Sequence, residues 1–325
     1  MARTAGMAIL VGIDEAGFGP ILGPLVVSSS TFSLPRPLLG SDLWQVLRKS
    51  VGNRRKHLAG RLLIADSKKA YSKSLGIIGL ERTVLAALRC LGAEPTTLTE
   101  LLMVLCPMCI ERLRGYPWHK GADEGCLSTD IGDGRIASAV FADDLSANGM
   151  ELLELRSDCL DVAYYNKMVS AVKNKASVLF TATAGLIDRA FSRFGGDDLQ
   201  VMVDRQGGRT HYRKVLQRMF PNMELTILRE SQAVSSYELR AADKGMRLHF
   251  AVGADDRFLP VSLASMVSKY IRELLIGDMN RYFAGFDADL KPTAGYWTDG
   301  LRFIEDLKTN LPHVQVDSNQ LIRCR

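Results

Sequence analysis

The sequence predicts an α/β protein. Apolar runs of strand length recur along its 325 residues, and amphipathic stretches of helix length stand among them. Neither an internal repeat nor a low-complexity tail interrupts the series. The first run, 7–13, is continuously apolar rather than alternating, so burial on both faces is expected. "GFGP" at 17–20 makes a turn, and 22–32 follows as a second strand paired with the first. A short helix is expected over 43–49. "LLIADSKKAYSK" (62–73) gives a short strand, a turn at Asp66 and a helix start, and 77–91 has helical periodicity. Residues 92–162 carry Pro95, Pro107 and Pro117 and a Gly-rich stretch, and read as an inserted excursion. From 164 to 194 one long helix or a broken pair is expected. "LQVMVD" (199–204) is a strand ending in an acid. "MELTILRES" and "MRLHFAVGAD" are further strands with "SSYELRAADKG" between them. A long amphipathic helix over 261–283 and another at "DGLRFIEDLKTN" complete the chain.

Hydrophobic residues make up 47% and charged residues 24%, the balance of an ordinary globular protein. The net charge of +5 permits a polyanionic partner without requiring one. No run of roughly 18 apolar residues is present, so no membrane helix and no membrane partner are expected. Residues 1–12 hold one Arg and an apolar patch too short for a secretory signal, which makes a cytoplasmic protein the expectation. Six cysteines are too few for a disulfide scaffold. "CPMC" at 106–109, with His119 and Cys126 downstream, leaves a structural zinc site open against buried thiols. His211 and His249 lie near the acids described next, either as helpers in proton transfer or as surface and packing residues.

Three strand-like runs end in carboxylates: Ile13 into Asp14 and Glu15, Val203 into Asp204, and Ala254 into Asp255. One such acid is ordinarily a turn or a helix cap. Four at the ends of three buried strands converge if the strands are neighbours. Converged carboxylates repel and call for a hard cation with oxygen ligands, Mg²⁺ or Mn²⁺. Two such ions can activate a water and stabilise a leaving oxygen in phosphodiester cleavage.

The same segments resemble a known family. "GIDEAGFGPILGPLVV" resembles the D-E-A-G-R-G-P motif of type 2 ribonucleases H, and "ADSKKAYSK" their D-S-K-K-L-S segment. "VMVDRQGGR" is similar to their strand-borne third acid. "GADDRFLPVSLASMVSKYIREL" is similar to the stretch around their fourth acid, and "DADLKPTAGYWTDGLRFIEDL" to their C-terminal H-K-G-Y-G region. These five motifs occur in the family's order and span 9–305. The resemblance implies a ribonuclease H-like mixed sheet flanked by helices, with a helical C-terminal part and inserted segments. It implies a core of 1–91 and 163–283 interrupted by 92–162, and a substrate-contacting part at 284–325. The implied activity is cleavage of the RNA strand of RNA–DNA hybrids, or 5′ of ribonucleotides embedded in a DNA duplex, leaving 5′-phosphate and 3′-hydroxyl ends. Asp14, Glu15, Asp204 and Asp255 match the catalytic, metal-binding acids for Mg²⁺ or Mn²⁺, with the adjacent Asp256 the alternative for the fourth. Gly17 and Gly19 match the glycines whose backbone reads the 2′-hydroxyl, an approach a side chain would block. Tyr296 matches the tyrosine that stacks at the ribose, although Trp297 beside it also suits a packed cluster. Lys269 and Arg272 match basic positions on the helix after the fourth acid, while Lys68 and Lys69, following a strand and Asp66, read either as phosphate contacts or as ordinary solvated lysines.

Phe18, in the substrate loop, departs from the family's arginine, and a phenyl ring cannot grip phosphate. The excursion 92–162 and the stretch 205–254 are longer than the family pattern, and the second is expected to add a hairpin or helix beside the acids. These departures keep two other readings open: a non-catalytic nucleic-acid-binding protein on the same fold, or a two-metal nuclease with a different nucleic-acid substrate.

Overall fold

The computed structural model describes residues 6–71, 76–120, 127 and 131–324. In chain order the elements are strands β1 (Met7–Ala16) and β2 (Leu25–Pro35), helix α1 (Leu43–Val46), strands β3 (Val51–Gly52) and β4 (Leu62–Leu63), and helices α2 (Ser67–Ala70), α3 (Ile78–Cys90), α4 (Leu98–Leu105), α5 (Ile110–Leu113) and α6 (Ile131–Ala147). Strand β5 (Glu151–Leu160), helices α7 (Val162–Val172) and α8 (Lys175–Phe194), strand β6 (Asp198–Asp204) and helix α9 (Arg213–Met219) come next. Strands β7 (Glu224–Glu230), β8 (Val234–Ala241) and β9 (Lys244–Ala251) precede helices α10 (Leu259–Ala284), α11 (Trp297–Asn310) and α12 (Ser318–Leu321).

Seven strands form one mixed sheet in the order β5-β2-β1-β6-β9-β8-β7. β1, β6 and β9 run parallel side by side, with Val11 opposite Val201 and Asp204 opposite Ala251. Parallel neighbours present the same strand end, so the acids that close β1 and β6 emerge on one edge. The two faces of the sheet differ. Ile9, Val11, Ile13, Val201, Val203, Leu248 and Phe250 pack against α8 through Leu179, Phe180 and Ile187. On the other face α10 lies along β1 and β2, where Leu10, Val26 and Phe32 meet Leu263, Met266 and Tyr270. α10 does not extend over β8 and β7. Along β6, alternate residues are buried on the α8 side and only half-buried on the α10 side. β1 is buried on both faces, as its continuous apolar run requires.

The contact between α10 and the sheet is close and partly polar. A Cβ on Gly12 would stand 2.2 Å from the Pro260 carbonyl carbon, so only glycine admits the helix there. Ser30 Oγ donates to the Pro260 carbonyl at 2.7 Å, and Ser268 Oγ donates to Ser28 Oγ at 2.8 Å. Serines let two elements approach while satisfying each other's polar atoms.

Several boundaries differ from expectation. β1 continues to Ala16, so Asp14 and Glu15 are strand residues opposite Ser28 and Val27. β2 starts at Leu25 rather than 22, because Pro24 offers no N–H to a ladder and Leu22 bridges instead to Ile322. The stretch 164–194 is a broken pair, parted at Lys173 with φ 51°. Residues 92–162 are not wholly an excursion, since 151–160 is the edge strand β5 hydrogen-bonded to β2. "SSYELRA" is itself a strand, β8, which turns at Ala242 into β9. The stretch 205–254 thus supplies both a helix and the strands that widen the sheet.

Candidate active site at the strand ends

Each acid is held by a different element. Asp14 closes β1 with its side chain on the α10 side. Its Oδ1 accepts the Glu15 N–H at 2.8 Å, and its carbonyl accepts Ser268 Oγ at 3.1 Å. Asp204 closes β6, and its Oδ1 accepts the Ala254 N–H at 2.7 Å. That bond ties the β6 end to the 3-10 turn at Ala254–Asp256, which carries Asp255. Ser262 Oγ donates to the Asp255 carbonyl, and Ser265 Oγ reaches both Asp14 and Ser67. Ser262, Ser265 and Ser268 thus form one buried stripe of α10 beneath the acids. A fifth carboxylate joins them: Asp66 caps α2 by accepting the Lys68 N–H at 3.0 Å, and its charge reaches Asp204 and Asp255.

Burial and mutual repulsion raise the pKa values of these acids. Burial first, and then Glu15 and Asp204, push Asp14 well above the usual carboxylate range. Burial and Asp204 raise Glu15 to about 8. Burial and Asp204 raise Asp255 to about 6, and burial raises Asp204 against two backbone hydrogen bonds that lower it. Lys68 faces them, its own pKa raised chiefly by Asp66, and Lys69 also feels Asp66 and Asp255. Asp256 pairs with Lys69 Nζ at 2.5 Å, and its charge also reaches Asp255.

The donor set suits a hard divalent cation. It is all oxygen and carries several negative charges, and Glu15 Oε2 is buried without a hydrogen-bond partner. Among the described residues no three His, Cys, Asp or Glu side chains are arranged to hold a metal ion as they stand. The acids face one another across the site through charge, not as a closed ligand cage.

The glycine loop sits beside them. Gly17 has φ +92°, and a Cβ there would meet the Pro24 carbonyl at 2.5 Å. Gly19 is exposed, with open space at its Cβ position. Arg272 lies beneath, fully buried, and donates to the carbonyls of Leu22 (3.3 Å) and Ala294 (2.8 Å). Its guanidinium stands 5.6 Å from the Tyr296 ring, so it joins the glycine loop to the tyrosine instead of meeting solvent. Tyr296 and Trp297 are 51% and 43% exposed, which sets aside a packed cluster. From the C-terminal tail, Arg323 donates to the carbonyls of Pro20 and Phe18 and fixes the loop's shape. Phe18 packs on the α8-side core, and Lys175 Nζ stands 5.3 Å over its ring. A cation therefore stands at the loop although residue 18 carries none.

Other sequence candidates fall elsewhere. Lys68 is exposed at the acids. Lys269 is buried and pairs with Glu273 at 2.7 Å, so its charge is met within α10. His211 pairs with Glu230, and His249 bonds to Ser236 and Gln200 on the sheet face, both away from the acids. Cys109 meets Cys106 at 3.6 Å and Cys159 rather than His119, which bonds to Asp278. Cys126 lies outside the described residues. Sequence reading missed Asp66 as a cluster member, the serine stripe, Lys175 and Arg323. The i, i+3, i+6 spacing of Ser262, Ser265 and Ser268 is the signal that marks the stripe.

No family model and no curated protein matches the chain. Solved structures do. The ribonuclease HII of Archaeoglobus fulgidus, in a complex with PCNA, is 18% identical with a TM-score of 0.47, over 98% of this chain and 94% of that one. Bst-RNase HIII, in complex with Mn²⁺, is 13% identical with a TM-score of 0.44, over 92% and 63%. The ribonuclease H2 of Pyrococcus horikoshii is 12% identical with a TM-score of 0.41, over 96% and 92%. These three solved structures are a ribonuclease HII, an RNase HIII and a ribonuclease H2.

Proposed function

We propose that this chain is a divalent-cation-dependent endonuclease that hydrolyses the RNA strand of RNA–DNA hybrids. The observation that carries the reading is the meeting of Asp14, Glu15, Asp204 and Asp255 at one sheet edge, with repulsion among them that Lys68 alone does not balance. A structural ion cluster would bring its own counter-charges, whereas this one supports an external cation. Asp14, Glu15, Asp204 and Asp255 would hold Mg²⁺ or Mn²⁺. Such a cation, when bound, would supply charge neutralisation and would lower the pKa of a water so that hydroxide is available as the nucleophile at phosphorus.

The chain's own groups do the rest. The serine stripe keeps Asp14 and Asp255 in place. The 17–19 backbone, opened by its glycines and clamped by Arg323 and Arg272, approaches the ribose, and the exposed Tyr296 ring stacks on it. Phe18 supports a second reading, a preference for continuous hybrid over a single ribonucleotide in DNA, because residue 18 lends no charge to a flanking phosphate.

Cleavage of two labelled duplexes, one a continuous hybrid and one DNA with a single ribonucleotide, tests both readings with Mg²⁺ and with Mn²⁺. Cleavage of both supports the nuclease and retires the second reading. Cleavage of the hybrid alone supports both. Failure to cut either, by folded protein that binds them, favours a binding protein on this fold.

A further inference from the structure

Beyond α10 the sheet face is open. Here β6, β9, β8 and β7 floor a cleft of about 620 Å³ that runs beside the acids. A polar ladder crosses its floor among apolar residues such as Met202 and Val234. Gln200 on β6 donates through its amide nitrogen to Asp198 at 2.8 Å, which turns its oxygen toward His249 on β9. His249 therefore carries its proton on Nε2, 3.2 Å from that oxygen, and accepts the Ser236 hydroxyl of β8 on Nδ1 at 2.8 Å. Gln200 and His249 are half-buried, and the members of this ladder satisfy one another along the cleft floor.

Four arginines line the cleft against one carboxylate, Asp198. Arg36 pairs with Asp198 at 2.7 Å, and Arg247 with Glu238 at 3.3 Å. Among the described residues Arg229 and Arg257 have no ion-pair partner. Arg229 reaches this face through a bulge: the register shifts between Ile227 and Arg229, so that Arg229, not Leu228, opposes Ser236. An unbroken register would have turned Arg229 to the opposite face. The cleft also continues the acid site. Met202 and Gln200 share the side of β6 that carries Asp204, Ala251 is Asp204's partner on β9, and Arg257 follows Asp255 by two residues.

We propose that this cleft is a phosphate-binding track for the nucleic-acid strand that leaves the acid cluster, gripped by Arg229 and Arg257. The inference rests on the nuclease reading and adds a second contact region to it. Planar guanidiniums match phosphate oxygens two at a time, and two neutralised phosphates carry a salt signature.

The test uses the full chain with Asp14→Asn and a fluorescent RNA–DNA hybrid, titrated at several KCl concentrations. Arg229→Glu with Arg257→Glu should weaken binding by about tenfold or more and lower the slope of log affinity on log salt by about two. Both side chains are exposed and free of ion pairs, so the melting temperature should hold. Arg229→Gln with Arg257→Gln serves if it does not. Lys214→Glu with Arg218→Glu, an equal charge change on α9 across the sheet, is the control and should do less. Unchanged affinity and slope, or an equal loss in the control, overturn the track. If the Asp14→Asn parent binds no hybrid, the nuclease reading fails and the track with it, an outcome distinct from binding that the arginines do not affect.

Discussion

On β5 the buried carboxylate of Glu154 meets three guanidiniums, those of Arg189 at 2.6 Å, Arg156 at 3.4 Å and Arg193. At the ends of β1 and β6, on the same sheet, Asp14, Glu15, Asp66, Asp204 and Asp255 share the charge of Lys68. The two clusters are opposites. Burial alone would raise Glu154, but Arg189, Arg193 and Arg156 carry it below its ordinary value, so it stays ionised within the fold. At the strand ends burial and repulsion act together, and Glu15 rises to about 8. A cluster that completes its own charge balance contributes to the fold. One that does not is stable only when protonated or when a cation arrives from outside, and that asymmetry separates a structural ion network from a candidate catalytic one.

Removing one carboxylate from the unbalanced cluster breaks the comparison most sharply. Asp14→Asn should reduce hybrid cleavage by on the order of 10³-fold or more, the scale of losing a preorganised electrostatic contact to the transition state. In EDTA its melting temperature should equal or exceed wild type, because a repulsion is lost. Cleavage at the wild-type rate would sink the nuclease reading.

The next effect is one of pH and metal. Glu15's folded pKa, about 8, lies above its ordinary 4.5, so between those values the folded state holds more protons than the unfolded chain. Metal-free stability should therefore fall as pH rises from about 5 to about 8. Mg²⁺ or Mn²⁺ should restore it at the upper end, by about 2.7 kcal/mol at a hundredfold excess over the dissociation constant. Thermal melts across pH in EDTA and in Mg²⁺ check this. A flat profile in EDTA, or no shift with metal, would show that the acids are already balanced.

Much of the unbalanced cluster was legible because its members end apolar runs. Asp14, Glu15, Asp204 and Asp255 each follow strand-like sequence, and a parallel sheet carries such ends to one edge. Asp66 was legible only as a cap, since β4 is two residues long and gives no run to end. The balanced cluster left no trace. Glu154 lies 35 and 39 residues from Arg189 and Arg193, and β5 hides in a stretch whose prolines and glycines read as an excursion. Arg323 and Lys175 were invisible for the same reason: their partners, the carbonyls of Pro20 and Phe18 and the Phe18 ring, are tertiary neighbours with no local pattern. Arg229 required a bulge, which shifts a strand's phase without altering its composition.

The balanced cluster gives the smallest and most discriminating effect. Glu154→Gln leaves three arginines without their anion. Losing one partner of a buried pair costs about 3–5 kcal/mol, but Arg189 and Arg193 are 40% and 47% exposed and water takes up part of their charge. A loss of about 1–2 kcal/mol is therefore expected near neutral pH. Its pH dependence runs opposite to that of the strand-end acids. Glu154's folded pKa lies below its ordinary 4.5, so its contribution is complete above that value and is lost as pH falls through the folded pKa. The penalty of Glu154→Gln should shrink in acid, whereas any gain from Glu15→Gln in EDTA should grow toward pH 8. Cleavage by Glu154→Gln should stay at the wild-type rate at temperatures where it is folded. If it lost cleavage without losing stability, the two clusters would be coupled through the sheet, and the line between them would have to be redrawn.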